Sequence, residues 1–366
     1  MGTGGTFLQV LSSDSLSAPL SSITDEPDEY TSSPHTKPPT PPAPLIIPKR
    51  GPLAAIVRSE SFPDSPGSPI SGVIDLTHQI KTLSTYAFAH GGFADIHLAE
   101  WKRRSEDGEF QSIQVVIKLL RILTRQDVDG VRARKRLNRE VYVWHRLDHL
   151  NVARMFGTSY HMGARPAIVL EWYQNGNASE YLKKNPNADR KMLIHDTARG
   201  LNYLHTLNPP IVHGDLKGNN VLITRACRAV LTDFGLSQVI EDLKGPSGNT
   251  TTMVQGSIRW QAPEIVLDDE NNQKLQLTFP SDVWSFACTA YELLTGNLPY
   301  HNRLRDFSVI QDHIHGVKPG APDTNIIYAP GPQDKIWELL DRCWSYQPYM
   351  RPLMKDVEAE MENMRY

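Results

Sequence analysis

Short polar motifs follow one another in a fixed order along most of the chain, and this order is the feature that most constrains its fold. The centre carries HGDLKGNN at residues 213–220, DFG at 233–235 and APE at 262–264. VVIK precedes them at residues 115–118, and SDVWSF follows at 281–286. A lone tripeptide such as DFG constrains little, whereas a set of motifs in one order over such a length is highly specific.

Composition changes sharply near residue 70. Of the first 70 residues, 36 are Ser, Thr, Pro or Gly, and 13 of the 27 prolines lie there. Proline removes a backbone donor and fixes φ, and few large apolar residues lie between the prolines. Such a segment buries too little apolar surface to offset the entropy of ordering it. We therefore expect residues 1–74 to form a disordered Pro/Ser/Thr-rich tail, followed by globular structure from about residue 80.

The predicted tail carries two features that suggest partners. Residues 38–44 contain overlapping PxxP spacings, which suit recognition of polyproline II by an adaptor, although a stiff solvated spacer has the same composition. The first six residues match the N-myristoylation pattern, with Gly2 as the acceptor, so any membrane association depends on that modification. No Lys or Arg precedes Lys37, so no polybasic segment lies nearby to strengthen the hold of a single acyl chain.

Charge, hydropathy and cysteine content argue against several classes of protein. The net charge is −3, and no apolar run approaches the roughly 18 residues of a membrane span, which disfavours nucleic-acid-binding and integral membrane proteins. No basic segment followed by an apolar stretch opens the sequence, so we expect no secretory signal. The three cysteines lie far apart without CxxC spacing, so neither a zinc site nor a disulfide framework is expected. These features predict a cytoplasmic protein.

Hydrophobic patterning predicts strands early in the globular part and helices late. Residues 112–120 are rich in β-branched residues, and residues 166–173 contain a second such run, which predicts two strands. Residues 190–207 and 281–295 carry apolar side chains at helical spacing, and Gly296 is expected to end the second helix. This order predicts an α+β chain with a small β-rich lobe followed by a larger α-helical lobe.

The order and spacing of the motifs resemble those of eukaryotic protein kinases, in which HGDLKGNN corresponds to the catalytic loop, DFG to the magnesium-binding motif and APE to the end of the activation segment. The resemblance covers about residues 80–365. It implies a bilobal kinase fold with an antiparallel N-lobe over residues 80–170, a hinge at 171–176 and a C-lobe over 177–365. It also implies an enzyme that uses ATP and Mg²⁺ and phosphorylates protein substrates.

The resemblance assigns a role to each polar residue of the central motifs. It implies that Asp215 accepts the proton of the attacking hydroxyl group and that Lys217 stabilises the transferring phosphoryl group. It further implies that Asn220 and Asp233 hold the magnesium ions, since oxygen ligands suit a hard cation.

The upstream lysine is implied to contact the α- and β-phosphates and to be oriented by a glutamate. These residues are Lys118 and Glu140, although a lysine at the end of an apolar strand can simply snorkel, and the glutamate can be a surface partner of the basic stretch 132–139. Glu140 is favoured because it lies 22 residues after Lys118 and is followed by apolar residues at helical spacing. Arg351 is implied to pair with Glu264 and brace the activation segment.

The glycine-rich loop is the weakest of the matches. Residues 89–96, AHGGFADI, occupy its place and keep Gly91 and Gly92, but Ala89 and Ala94 stand where glycines are usual. A methyl group limits φ and the approach of the backbone to phosphates, so we expect weakened rather than abolished nucleotide binding.

The resemblance also implies an adenine pocket between the two lobes. Ile96 and Val116 would cover the base, Leu222 would lie beneath it, and the hinge residues Glu171 and Tyr173 would flank the backbone groups that bind its edge. The same apolar side chains are equally ordinary core residues, and the two roles are compatible.

Residues around the motifs indicate which kind of kinase the chain resembles. KGN at residues 217–219 and GS at 256–257 are typical of Ser/Thr kinases, whereas RW at 259–260 and CW at 343–344 are similar to tyrosine kinases. This mixture resembles the tyrosine-kinase-like group, and the catalytic-loop string is similar to that of fungal members. It implies Ser/Thr specificity, with dual specificity left open.

A pseudokinase, acting as a nucleotide-binding scaffold with little transfer activity, is the alternative function. Its support is the altered glycine loop and Gly214, which stands where an arginine commonly precedes the catalytic aspartate. Against it, the residues that decayed kinases commonly lose are all present, namely Lys118, Glu140, Asp215, Asn220 and Asp233. A nucleic-acid-binding protein has only the basic stretch 132–139 in its favour.

Overall fold

A computed structural model describes most of the chain after the predicted tail. The described residues are 70, 72–84, 86–90, 94–104, 107–120, 137–138, 141–163, 167–234, 257–267, 277–320 and 335–364. Among the predicted features, most of the tail, Gly91, Gly92, Glu140 and nearly all of the basic stretch 132–139 lie outside these residues. Within the described part of the chain, no helix is long and apolar enough to cross a membrane.

An antiparallel sheet makes up the first lobe. Its strands are β1 (Ile80–Thr82), β2 (Ala89–His90), β3 (Ala94–Arg104), β4 (Phe110–Leu120), β5 (Met155–Ser159) and β6 (Ala167–Glu171). The order across the sheet is β1-β3-β4-β6-β5, and β2 also pairs with β3. Both predicted strands are confirmed, as β4 and β6. Because β4 is central, it buries Val115, Val116 and Ile117 on both faces, which accounts for its continuous apolar run.

Helices dominate the second lobe. Among the described residues, one helix, α1 (141–145), belongs to the first lobe. Those of the second lobe are α2 (Ala178–Lys184), α3 (Arg190–Thr206), α4 (Pro263–Val266), α5 (Phe279–Thr295), α6 (Asp306–Ile314), α7 (Lys335–Cys343) and α8 (Met354–Asn363). The helix predicted at 190–207 is confirmed as α3. A second, two-stranded sheet, β7 (Val221–Ile223) with β8 (Ala229–Leu231), follows the HGDLKGNN motif. The predicted bilobal α+β architecture is therefore confirmed.

Local signals in the sequence define both ends of α5. The side chains of Thr278 and Ser281 form a capping box with each other's backbone at its start. Gly296 ends the helix with a φ of 75°, a left-handed conformation that favours glycine. The predicted helix at 281–295 is thereby confirmed, and it begins two residues earlier than expected, at Phe279.

Helix α5 lies at the centre of the helical lobe. Nearly all of its residues are buried, including Trp284 and Phe286, and it packs against α2, α3 and α7. Its buried set also includes two carboxylates, Asp282 near the first turn and Glu292 near the last. Since buried carboxylates need hydrogen-bond partners, these two indicate where other chain segments are held against the helix.

The hydrophobic core also takes in residues that precede β1. Ile70 and Leu76 are buried, and the segment around them runs beside β5. The amide of Leu76 donates to the carbonyl of Thr158 at 2.8 Å, and the amide of Thr158 donates to the carbonyl of Ile74 at 2.9 Å. These described residues therefore extend the sheet edge ahead of residue 80.

The ion pair implied between Arg351 and Glu264 is confirmed. The guanidinium binds the carboxylate through two bonds, Nη1 to Oε1 at 2.6 Å and Nη2 to Oε2 at 2.7 Å. It also donates to the carbonyl oxygens of Ser345 at 2.8 Å and Pro280 at 2.9 Å, and it lies over the ring of Trp284. Arg351 thus ties the Ala-Pro-Glu motif to the start of α5.

We expect Arg351→Ala to destabilise the fold, because the change leaves Glu264 without its partner. Removing one member of a buried ion pair costs about 3–5 kcal/mol. Since the Glu264 side chain is 27% exposed, we expect the lower end, about 3 kcal/mol, and a fall in Tm of at least about 5 °C in calorimetry.

Arg342→Ala is the matched control for this substitution. Arg342 pairs with Glu360 on the surface, where an ion pair contributes about 0–1 kcal/mol. An equal fall in Tm for the two variants would contradict a structural role that is special to Arg351.

Candidate active site

The segment 213–220 is a loop whose backbone is hydrogen-bonded to a buried carboxylate of α5. Asp282, 1% exposed, accepts hydrogen bonds from the amides of His213 at 2.7 Å and Gly214 at 2.8 Å. His205 contacts the same carboxylate through Nε2 at 2.9 Å. Gly214 has a φ of 77°, which a glycine adopts without the steric cost that an arginine would carry. No role had been assigned to Asp282 from the sequence, although it lies in the SDVWSF motif.

Three predicted residues of this loop form one polar cluster. Lys217 Nζ lies 2.9 Å from Asp215 Oδ2, and Asn220 Nδ2 donates to the same oxygen at 3.0 Å and to the Asp215 carbonyl at 2.7 Å. Lys217 Nζ also donates to Ser257 Oγ at 2.6 Å. Because the Asp215 and Lys217 side chains are each 19% exposed, a substrate can reach them.

Two more of the predicted charged residues form an ion pair between the two lobes. Lys118, buried near the end of β4, contacts Asp233, which follows β8. Burial acts to raise the pKa of the Asp233 carboxyl, but the Lys118 ammonium and the hydrogen bonds outweigh this effect and hold the pKa below its ordinary value. Asp233 is therefore ionised at neutral pH.

The residue after this aspartate is the anchor of the DFG segment. Phe234 is buried and packs edge-on against Trp144 of α1, with ring centroids 4.8 Å apart, and against His213 at 6.2 Å. Trp144 is itself fixed by a hydrogen bond from Nε1 to the Ala153 carbonyl at 2.9 Å. Asp233 has a positive φ of 65°, which is uncommon for a residue with a side chain, so this packing holds it in an unusual conformation.

The donor set fits a magnesium nucleotide. The amide nitrogen of Asn220 is engaged with Asp215, which leaves its amide oxygen as the atom that suits a cation. This oxygen and the ionised Asp233 carboxylate are the hard ligands that Mg²⁺ prefers. Lys118 adds a buried positive charge beside them.

The predicted adenine residues border this cluster. Ile96 of β3 lies directly opposite Lys118 of β4, and Val116 lies two residues before Lys118, so all three share one face of the sheet. Ile96 and Leu222 are half-buried against the same hydrophobic core to which Val116 belongs. The structure therefore places Ile96, Val116 and Lys118 on one face of the N-lobe sheet, while Leu222 lies on β7 of the second lobe.

The hinge side chains turn towards each other. Tyr173 Oη donates to Glu171 Oε2 at 3.2 Å and accepts a hydrogen bond from the Arg154 amide at 3.2 Å. Burial raises the pKa of both Glu171 and Tyr173, which favours the neutral tyrosine. Trp172 between them packs edge-on against Phe88. These side chains hold the hinge in place, and the prediction that its backbone binds adenine remains a prediction.

The fold and the cluster around Asp215 together define a protein kinase domain. A family model for protein tyrosine and serine/threonine kinases matches residues 84–361. This match spans most of the chain and both lobes. The chain belongs to this family.

Several kinases are similar in sequence. The serine/threonine-protein kinase CTR1 of Arabidopsis thaliana is 31% identical over 268 residues, which make up 72% of this chain and 29% of CTR1. The serine/threonine/tyrosine-protein kinase HT1 of the same plant is 26% identical over 283 residues, 75% of this chain and 64% of HT1. The serine/threonine-protein kinase TNNI3K of Mus musculus is 31% identical over 228 residues, 61% of this chain and 26% of TNNI3K. The chain therefore spans less than two thirds of each of these relatives. The resemblance to tyrosine-kinase-like Ser/Thr kinases is confirmed at the level of the family.

We expect Asp233→Ala to weaken magnesium-dependent nucleotide binding, because it removes the ionised carboxylate that is expected to bind Mg²⁺ and that pairs with Lys118. The loss of Mg·ATP affinity should be at least about tenfold, since even residues that only support a metal ligand cost about 10–100-fold. Calorimetry with and without EDTA measures this effect, and the affinity for metal-free ATP should fall much less. An unchanged affinity for Mg·ATP would show that Asp233 is not a ligand.

Proposed function

We propose that this chain is a protein serine/threonine kinase, which transfers the γ-phosphoryl group of ATP to hydroxyl groups of protein substrates. The observation that carries the proposal is the position of Lys217, whose ammonium group contacts both Asp215 and Ser257. A base, a cation and the segment that precedes APE thus meet at one point that is open to a substrate.

Asp215 is the proposed general base. Lys217 and Asn220 both donate to its carboxylate, which fixes its orientation. It would accept the proton as the substrate oxygen forms its bond to the γ-phosphorus and the bond from that phosphorus to the ADP oxygen breaks. Lys217 would stabilise the negative charge on the group in transfer.

The nucleotide is proposed to bind between the lobes. Asp233 and Asn220 are the proposed magnesium ligands, and the ions would neutralise charge on the phosphates. Lys118 would contact the α- and β-phosphates, and Glu140, which lies outside the described residues, would orient it. Among the proposed adenine contacts, Ile96 and Val116 share the face of the sheet that carries Lys118.

The proposed kinase domain covers residues 80–365, with an N-lobe at 80–170, a hinge at 171–176 and a C-lobe at 177–365. The tail, expected at 1–74, is proposed only for 1–69, because Ile70 and Val73 are buried in the core. The adaptor site in its PxxP run and membrane association through Gly2 remain proposals, as does a cytoplasmic location. Apart from Ala89, Ala94 and Gly214, which suggested it, no described residue favours the pseudokinase alternative.

We expect the purified full chain to label generic protein substrates, or itself, from ATP labelled in the γ-phosphate. Asp215→Asn should cut turnover by about 10²–10⁴, the usual contribution of a positioned acid–base group, while Mg·ATP still binds. Phosphoamino-acid analysis should find label on Ser and Thr, and label on Tyr as well would establish dual specificity. No transfer by the unmodified chain would defeat the proposed function, whereas an equal loss of ATP affinity in the variant would show that the role of Asp215 is misassigned.

We also expect activity to depend little on phosphorylation of the activation segment. In many kinases an arginine before the catalytic aspartate helps to hold a phosphate on that segment and so orders it. Gly214 has no side chain to donate, so a phosphate on Thr250, Thr251 or Thr252, which lie outside the described residues, lacks this charge-assisted partner. Initial rates before and after phosphatase treatment, with dephosphorylation checked by mass spectrometry, measure the effect. A fall of more than about tenfold, or 1.4 kcal/mol in the barrier, would contradict the expectation.

A further inference from the structure

A buried glutamate of α5 contacts three separate segments of the chain. Glu292 is 6% exposed, and its Oε2 accepts hydrogen bonds from the Gly218 amide at 3.0 Å and from Trp260 Nε1 at 2.9 Å. Its Oε1 accepts a hydrogen bond from Ser179 Oγ at 2.5 Å. All three donors are neutral groups, so the carboxylate acts here as a hydrogen-bond acceptor rather than as half of an ion pair.

The two donors to Oε2 belong to the two segments that meet at Lys217. Gly218 directly follows Lys217, and the amide of Trp260 donates to the carbonyl of Ser257 at 3.0 Å, closing a tight turn. The side chains of Lys217 and Ser257 themselves lie 2.6 Å apart. The two segments that carry Lys217 and Ser257 are therefore both hydrogen-bonded to one oxygen atom, Oε2 of Glu292.

The catalytic loop is built for this close approach. A Cβ atom added at Gly218 would collide with Ser179 Oγ and would lie 2.5 Å from Glu292 Oε1 and 2.7 Å from its carboxyl carbon. Since real Cβ atoms essentially never come within 3.0 Å of another heavy atom, something would have to move. A side chain at this position would therefore have to displace Ser179 or the carboxylate of Glu292.

We propose that Glu292 is a positioning residue for phosphoryl transfer. Its Oε2 sets the separation of the catalytic loop from the segment 257–260, and thereby places Lys217 against Asp215 and Ser257 without touching a substrate. This inference rests on the proposed kinase function.

Reach, rather than charge, is what the arrangement requires of the side chain. Burial raises the pKa of the Glu292 carboxyl, and the three hydrogen bonds oppose this by stabilising the ionised form. A glutamine can place its amide oxygen at the position of Oε2 and its amide nitrogen towards Ser179, whose hydroxyl group can rotate to accept. An aspartate keeps the charge but is one methylene shorter, so it cannot hold both Gly218 and Trp260.

The experiment compares Glu292→Asp with Glu292→Gln in the full chain. We expect Glu292→Asp to lower kcat by about 10–100-fold, because a misplacement of about 1 Å can cost 10²-fold, while the Kd for Mg·ATP changes by less than about threefold. Glu292→Gln should keep at least about a third of the wild-type kcat, because its reach is preserved. Thr289→Val is the matched control, since this buried residue lies on the same helix and its hydroxyl group donates only to the carbonyl of Ser285 in its own helix.

A second measurement does not depend on activity. Hydrogen exchange at residues 213–220 should be at least about tenfold faster in Glu292→Asp than in wild type, and nearly unchanged in Glu292→Gln and Thr289→Val. If Glu292→Asp does not fold, Gly218→Ala takes its place, because the added methyl group pushes the loop away while the carboxylate stays intact. It should show the same loss of kcat with little change in Mg·ATP affinity.

The outcomes separate this inference from the proposed function. An active wild-type chain with an equally active Glu292→Asp variant would overturn the positioning role alone. Equal losses in the Asp and Gln variants would show that reach alone does not suffice, and a loss in the Gln variant alone would show that charge matters; either result also overturns it. If the wild-type chain transfers no phosphate, the proposed function fails, and unchanged hydrogen exchange in Glu292→Asp would then reject the positioning of the loop independently.

Discussion

The catalytic loop depends on two buried carboxylates that lie at opposite ends of one helix. Asp282 and Glu292 are ten residues apart on α5, about 15 Å along the helix axis. Burying a carboxylate costs free energy unless hydrogen bonds replace its water, and here backbone amides of the loop supply them through His213, Gly214 and Gly218. The loop therefore supplies hydrogen-bond donors to the helix, and the helix supplies acceptors to the loop. A change that moves α5 moves the loop as well.

The two glycines of the loop follow from these carboxylates. Gly214 donates to Asp282 from a left-handed conformation, and Gly218 lies so close to Ser179 and Glu292 that an added Cβ atom would displace one of their side chains. In the sequence, Gly214 stands where an arginine is common. In the structure, glycine is the residue that adopts this backbone conformation with least strain. The glycine loop between β2 and β3 is a separate matter, since Gly91 and Gly92 lie outside the described residues.

Much of the fold could be predicted because local signals agree with the packing. The apolar run of β4 and the left-handed Gly296 after α5 are examples. Strands β7 and β8 were not predicted, since three residues are too few to show a period. Glu292 was also missed, although a carboxylate on a helix that is apolar on nearly every side signals a buried acceptor. Its partners Ser179, Gly218 and Trp260 lie 113, 74 and 32 positions away in the chain, so they are visible only in three dimensions.

The contact between Lys118 and Asp233 joins this frame to the other lobe. Lys118 belongs to the sheet, whereas Asp233 follows β8 and is held by the packing of Phe234 against Trp144. Because the folded-state pKa of Asp233 is lowered, the stabilisation from its ionised form is present above the ordinary aspartate pKa and is lost only as the pH falls through the lower folded value. The lobes are thus linked at neutral pH through the two residues proposed to bind phosphate and magnesium. If Lys118 binds the phosphates as proposed, a nucleotide would compete for the same charge that links the lobes, and nucleotide binding would be coupled to the relative position of the lobes.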